Sequence, residues 1–313
     1  MTVPAAPSLR SPRPPVRRSE LATPASNDRM FAKAAGAGAD MVFLDLEDAV
    51  APAFRESARA KAIAALNEID WGTTVRAVRI NGVDTHWCHD DVIDLVEQAG
   101  ANLDTIVVPK ATSARDVWFV DTLLTQLERK LGLERRIRLE VLIENVAGLA
   151  HAEEIATVSD RLDALIFGAG DFSVSLGARV DTNFVPTVDY PGDFWHHARS
   201  TVAVAARIAG VLAIDAPYPD YRDPEGYRRE ATRASALGFS GKWAIHPSQV
   251  AIANEVFSPT PAEVEHARRT LEAYREAERN GLGATGMDGK LVDAAHVKLA
   301  EELLARADGI EAR

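Results

Sequence analysis

The sequence predicts a (β/α)8 TIM barrel with a C-terminal helical extension. Three observations carry the prediction. Short β-rich apolar runs alternate with longer helix-like segments from Ser19 onward, the pattern of a parallel sheet covered by helices. Eight such pairs fit into about 240 residues, which suits a closed barrel better than an open doubly wound sheet. No Gly-x-Gly-x-x-Gly follows the first strand, as a dinucleotide-binding sheet would require.

Taken in order, the strands are expected at Glu20–Thr23, Met41–Leu46 (MVFLDL), Val75–Ile80 (VRAVRI), Thr105–Pro109 (TIVVP), Ile137–Ile143 (IRLEVLI), Ala164–Gly168 (ALIFG), Val211–Asp215 (VLAID) and Gly241–Ile245 (GKWAI). Helical patterns fill the intervals at 27–38, 55–67, 89–99, 113–132, 146–157, 194–209, 224–237 and 247–256, several opening on Asn, Asp or Ser in cap positions. The segment 175–193 exceeds the usual βα loop of a few residues and is expected to shape the barrel mouth. Phe257-Ser-Pro-Thr-Pro then breaks any helix. Beyond it lie a charged helical segment, Ala262–Arg279, the glycine-rich GLGATGMDGK and a last helix at 291–307. The expected division is therefore an arm at 1–17, a barrel at 18–258 and a helical lid at 259–313, folding over the mouth of this subunit or of a neighbour.

With 313 residues, 47% hydrophobic and 26% charged, the chain can bury a large core. A net charge of -11 and a pI near 5.3 argue against general affinity for nucleic acid or anionic membrane, both of which need positive faces. No apolar stretch approaches a membrane span, and the opening MTVPAAPSLRSPRPPVRRSE lacks the apolar core of a secretory signal. Its arginines and lack of acid before Glu20 loosely resemble a transit peptide, but its prolines spoil an amphipathic helix, so a disordered arm is expected. The one cysteine, Cys88, reads as structural and fits a reducing, cytoplasmic compartment.

In such a barrel the active site lies at the C-terminal strand ends. The residues there are Asp45-Leu46-Glu47-Asp48, Arg79-Ile80-Asn81, Pro109-Lys110, Glu144-Asn145, Gly168-Ala169-Gly170-Asp171 and Asp215. Carboxylates converging on one rim repel unless a cation lies between them, and an all-oxygen ligand set favours Mg²⁺ or Mn²⁺. Glu144 and Asp171 end adjacent strands and are the expected metal ligands; the alternative is that they cap the following helices. Arg79 at the mouth needs a carboxylate or an anionic ligand. It is expected to pair with Glu47 or Asp48, with Glu47 the inner acid of that run, or to grip substrate, and the two are compatible. His246 is either functional or a packed turn residue. Arg18, Arg29 and Lys33 form a basic cluster near the first βα unit, for an anionic ligand or simply solvated.

DLEDAV, VRIN, IEN, GAGD and GFSGKWAIHPSQ in this order resemble the CoA-ester lyases of the HpcH/HpaI aldolase and citrate lyase β-subunit group, and the likeness runs from Arg18 to the tail. The resemblance implies a trimeric or hexameric barrel binding Mg²⁺ through Glu144 and Asp171, with Arg79 on the substrate carboxylate or the enolate oxygen. Malyl-CoA lyase-like members also place an aspartate from an adjacent subunit's lid over the site; GMDGKLVDAAH makes this Asp293, whose alternative is an acid at a helix N-terminus. CoA phosphates would fall to Arg18, Arg29 and Lys33. The implied reaction is the reversible joining of an acyl-CoA to a 2-oxo acid, glyoxylate or pyruvate, with Arg79 stabilising the enolate, Asp293 moving the α-proton and Glu47 assisting. Rivals are a malyl-CoA thioesterase, a citrate lyase β-chain and a CoA-independent metal aldolase. The chain departs from the group at Pro24-Ala25-Ser26-Asn27, where Pro-Gly-Asn is usual, and at Ala295, where the lid usually has proline.

Overall fold

The computed structural model describes residues 16–313. The chain divides after Glu255 into two compact units. The first is a closed barrel of eight parallel strands: β1 (Ser19–Pro24), β2 (Met41–Asp45), β3 (Val75–Arg79), β4 (Thr105–Val108), β5 (Arg138–Ile143), β6 (Leu162–Phe167), β7 (Leu212–Asp215) and β8 (Gly241–Ala244), with β8 returning to pair with β1. Around it run α1 (Phe31–Ala35), α2 (Arg55–Glu68), α3 (Cys88–Ala99), α4 (Ala114–Leu131), α5 (Val146–Ala150), α6 (Ala152–Thr157), α7 (Ala169–Leu176), α8 (His196–Ala209), α9 (Pro224–Ala236) and α10 (Pro247–Val256). Of the expected arm, residues 1–15 lie outside the described residues; Arg17 is buried, its Nε donating to Glu140 at 3.1 Å, so the ordered barrel includes it.

Strand alternation fills the lumen. Met41, Phe43, Ala77, Leu142, Ile166 and Trp243 belong to one buried apolar cluster, and their strand neighbours face the helices. Gly241 opens β8 because a Cβ there would stand 1.7 Å from the carbonyl oxygen of Arg17. Asp215, expected among the rim residues, instead holds Arg199 of α8 at 2.8 Å and the fully buried Lys242 at 2.6 Å, and Lys242 also reaches Glu230 of α9 at 3.1 Å. This network lies between barrel and helices, so Asp215 is structural. Among the described residues, no helix is long and apolar enough to cross a membrane.

Three local differences from the expected elements have physical causes. The helix expected at 146–157 is two pieces, because His151 departs to φ -110 and ψ 16 and its ring contacts the carbonyl of Thr112 at 3.1 Å. GAGDFSVSL has two glycines and an aspartate among its first four residues, all of poor helix propensity, yet forms α7, which Gly177 closes in the left-handed conformation at φ 69. The glycine-rich stretch of the second unit is a hairpin.

That unit, Val256–Arg313, comprises α11 (Pro261–Arg279), the antiparallel strands β9 (Ala284–Met287) and β10 (Lys290–Asp293), and α12 (Ala294–Glu311). Thr260 and Glu263 form a capping box on α11. Asp288 and Gly289, both at positive φ (51 and 75), make the two-residue turn that such a hairpin favours.

Candidate active site

Inward alternation on β2 and β3 brings Asp45 and Arg79 to the mouth, as register partners one strand apart. Arg79 is nearly buried, and Asp45 accepts from its Nε at 2.7 Å and its Nη2 at 2.6 Å, the two-pronged geometry that fixes a guanidinium plane. Burial alone would lower the Arg79 pKa, but Asp45, Glu47 and Glu144 outweigh it and raise it, so this group stays charged. Glu47, expected as the inner acid, does not line the cavity. The chain leaves strand geometry after Asp45, whose carboxylate accepts from the backbone N–H of Glu47 and Ala49, so alternation does not extend to residue 47. Glu47 sits behind the wall, 3.3 Å from Nη1 of Arg79, and pairs with Lys110.

Lys110 was not assigned a role from the sequence. It stands at φ 54, a left-handed backbone unusual for a non-glycine residue. That turn sends its backbone N–H to Glu144 Oε1 at 2.7 Å, while its ammonium reaches Glu47 and Asp48. The sequence signal was the cation ending an apolar strand. Asp48 lies below its usual pKa, because hydrogen bonding with Glu47 and with Lys110, then the charge of Arg79, outweighs burial.

Burial pushes Glu47 up to about 7; the hydrogen bond with Asp48 adds to the rise and the pulls of Arg79 and Lys110 oppose it. Between the ordinary value of 4.5 and this one, the folded protein keeps a proton that the unfolded chain releases. The stability this contributes is full below the lower value and is lost as pH rises through the upper one. Glu47→Gln cannot titrate, so its urea midpoint should gain on the wild type between about pH 4.5 and about pH 7; a difference that stays constant across that window contradicts the assignment.

Glu144 follows β5 and is 3% exposed. It does not cap the next helix: Asn145 does, accepting from the backbone N–H of Gly148 at 2.7 Å. Burial, opposed by Arg79 and reinforced by Asp171, pushes Glu144 up to about 8. Gly168 makes its position possible, since a Cβ there would lie 2.5 Å from Glu144 Cβ and 2.9 Å from Oε2. Asp171, in the first turn of α7, has no hydrogen-bond or ion-pair partner among the described residues. Asp45, Arg79, Glu144, Asp171, Phe184 and Trp243 all line one cavity of about 400 Å³. Phe184 comes from the long loop after α7, where it holds φ 60.

The pair fits a hard divalent cation. Arg79 is already engaged by Asp45 and offsets Glu144 only in part, so burial and the neighbouring Asp171 make Glu144 keep a proton at neutral pH unless a cation is present. Among the described residues, no group of three or more His, Cys, Asp or Glu side chains is placed to hold a metal, so two carboxylate oxygens would leave the remaining positions to water and ligand, the habit of Mg²⁺.

Arg29 and Lys33 are exposed, four residues apart just beyond the C-terminal end of β1, on the mouth side. Arg18, grouped with them from sequence, is not. It precedes β1, at the opposite end of the barrel, where Asp40 accepts from its Nε and Nη2 at 2.9 Å. His246 is a turn residue: its Nδ1 meets Ser248 Oγ at 2.8 Å and its ring stacks on Tyr221. Asp293, in the second unit, is the N-cap of α12, accepting from the backbone N–H of Ala295 at 3.0 Å and contacting His296 at 2.7 Å. Those contacts hold its carboxyl below the usual range, His296 first.

Comparisons with known proteins give the chain's family. Residues 18–247 match the HpcH/HpaI aldolase/citrate lyase family. An L-malyl-CoA/beta-methylmalyl-CoA lyase of Cereibacter sphaeroides is 45% identical over 312 residues, covering 96% of this chain and 98% of the relative. A (3S)-malyl-CoA thioesterase of the same organism is 37% identical over 295 residues, covering 94% and 96%. The crystal structure of CitE from Mycobacterium tuberculosis in complex with magnesium, acetoacetate and coenzyme A aligns with a TM-score of 0.73 at 32% identity, covering 96% of this chain and all of that one. On its sequence and its barrel, the chain belongs to the HpcH/HpaI aldolase/citrate lyase family.

Proposed function

We propose that this protein is a Mg²⁺-dependent CoA-ester lyase, a cytoplasmic carbon–carbon lyase that cleaves a 3-hydroxyacyl-CoA of the malyl-CoA, methylmalyl-CoA or citramalyl-CoA type into an acyl-CoA and a 2-oxo acid, glyoxylate or pyruvate, and runs the reverse condensation. The observation that carries the reading is the meeting of Glu144 and Asp171 beside Arg79 in a small cavity at the strand ends. The 45% identity to named malyl-CoA/methylmalyl-CoA lyases supports it more strongly than the 37% identity to a thioesterase supports hydrolysis.

Glu144 and Asp171 would hold Mg²⁺, or Mn²⁺; the mycobacterial relative is in complex with magnesium, acetoacetate and coenzyme A. Such a cation supplies Lewis-acid polarisation of the 2-oxo carbonyl and positive charge for its carboxylate. In cleavage the 3-hydroxyl passes its proton to the Asp293 carboxylate, the C2–C3 bond breaks with its electron pair passing into the thioester enolate, and Asp293 returns that proton to C2. Arg79 faces the developing enolate oxygen as a fixed cation that needs no reorganisation, since Asp45 already orients it. Glu47 and Lys110 buttress Arg79 and Glu144 from behind. Asp293 from the lid of a neighbouring copy, in a homotrimer or homohexamer, carries the C2 proton, which requires its release from His296 and a drier setting than solvent. Arg29 and Lys33 receive CoA phosphates.

The test is incubation with Mg²⁺ and a panel of 3-hydroxyacyl-CoA esters, followed by mass spectrometry of free CoA and 2-oxo acid. Acyl-CoA and 2-oxo acid should appear in equal amounts. Free CoA accompanied by intact hydroxy acid identifies a thioesterase and overturns the lyase reading.

A further inference from the structure

At the N-terminal end of the lumen lies a polar chain that the proposed chemistry does not use. Glu20 of β1 and Glu140 of β5 are both fully buried. Arg17 Nε donates to Glu140 Oε1 at 3.1 Å, and Trp243 Nε1 donates to Glu20 Oε2 at 2.7 Å. The other oxygens, Glu20 Oε1 and Glu140 Oε2, have no donor. The two carboxyls nevertheless lie within hydrogen-bonding reach of each other, and one guanidinium cannot neutralise both. A single proton resolves the pattern: Glu140 is the carboxylate beside Arg17, and Glu20 is the acid, its hydroxyl donating to Glu140 and its carbonyl oxygen accepting from Trp243. Burial followed by the charge of Glu140 raises Glu20 in the direction this requires.

Trp243 is the far end of the chain. It is the register partner of Glu20 across the β1–β8 seam. Its indole packs on Phe43 at 4.4 Å between ring centroids, lies 5.5 Å from the Arg79 guanidinium carbon and, with Ala22 and Leu142, forms the apolar lumen wall of the cavity. An indole with its N–H tied at one edge cannot swing without stranding that donor in a dry lumen.

We propose that Glu20 is a positioning residue that locks Trp243 as the floor of the active-site cavity, and that Trp243 so fixed is the specificity-determining residue limiting the size of the 2-oxo acid. The size-limiting half of this proposal rests on the lyase reading; the positioning half does not.

Three variants test it: Glu20→Gln, Glu20→Leu and Trp243→Phe. A glutamine amide reproduces both bonds, N–H to Glu140 and carbonyl from Trp243, so Glu20→Gln should keep the near-UV circular dichroism of Trp243, defined as wild type minus Trp243→Phe, and the wild-type ratio of kcat/KM for pyruvate against glyoxylate. Glu20→Leu strands the indole N–H and should lose the Trp243 signal. Its ratio of kcat/KM for pyruvate against glyoxylate should rise about tenfold, mainly through KM, the scale that one methyl group commands in an apolar pocket. The Glu20→Leu/Trp243→Phe double variant should shift selectivity no further than Trp243→Phe alone. A Glu20→Leu protein with unchanged dichroism and selectivity overturns the proposal, as does a Glu20→Gln protein as altered as the leucine variant. If Glu20→Leu fails to fold, Glu20→Gln and Trp243→Phe still decide: Glu20→Gln must match the wild type and Trp243→Phe must relax selectivity, and either failing overturns the proposal. The dichroism needs no substrate, so it decides the positioning even if the wild type proves to be no lyase.

Discussion

Replacing Glu144 by Gln is expected to lower lyase turnover by about a thousandfold or more, because several kcal/mol of charge stabilisation depend on a cation that a neutral amide cannot hold, and each ~1.4 kcal/mol is tenfold in rate. The side chain keeps its shape and can still accept the backbone N–H of Lys110. Without divalent metal the variant should therefore melt no lower than the wild type, since it removes a buried acid that is otherwise held near pKa 8. What should vanish is the rise in melting temperature on adding Mg²⁺, together with the heat of Mg²⁺ binding, because only a ligand that binds the folded state stabilises it. A Glu144→Gln protein that is still stabilised by millimolar Mg²⁺ would remove Glu144 from the ligand set.

Asp293→Asn should cost about 10² to 10⁴ in kcat, the range assigned to a positioned acid–base group. The substitution separates the two roles open to this residue. Asn caps a helix as well as Asp does, so if capping α12 were its whole purpose, both activity and melting temperature would survive. A loss of rate at constant melting temperature identifies catalysis. Mixing the inactive Asp293→Asn and Glu144→Gln proteins under conditions of subunit exchange adds a second readout. Activity returns only if a site draws its aspartate from one chain and its glutamate from another, and mixtures that stay inactive place both on the same chain.

The barrel was legible because each strand's apolar run ends in polar residues, and the eight observed strands fall within a few residues of those expected. Arg79, Glu144 and Asp171 were legible for the same reason. The rest depended on geometry that one-dimensional patterns do not carry. Asp45, and not Glu47, lines the cavity because β2 ends at Asp45, and no propensity marks where a strand stops alternating. Arg18 lies close in sequence to Arg29 and Lys33, but β1 runs between them, so they emerge at opposite ends of the barrel. Glu20 read as an ordinary strand residue; its partners, Glu140 and Trp243, are more than a hundred residues away. The hairpin of the second unit was readable, since Asp288-Gly289 is a strong two-residue turn signal, but the surrounding glycines masked it as irregular chain.

Gly168 leaves no room for any side chain beside Glu144. The same crowding acts in reverse: with β6 pressed against it and the N–H of Lys110 on one oxygen, Glu144 has little rotameric freedom to surrender. Its ordering is completed during folding, so an arriving ion meets a preorganised ligand and expends little of its affinity on immobilising it. A bulkier residue at position 168 would thus damage ion affinity by pushing the Glu144 carboxylate out of place, although neither proposed ligand had been replaced.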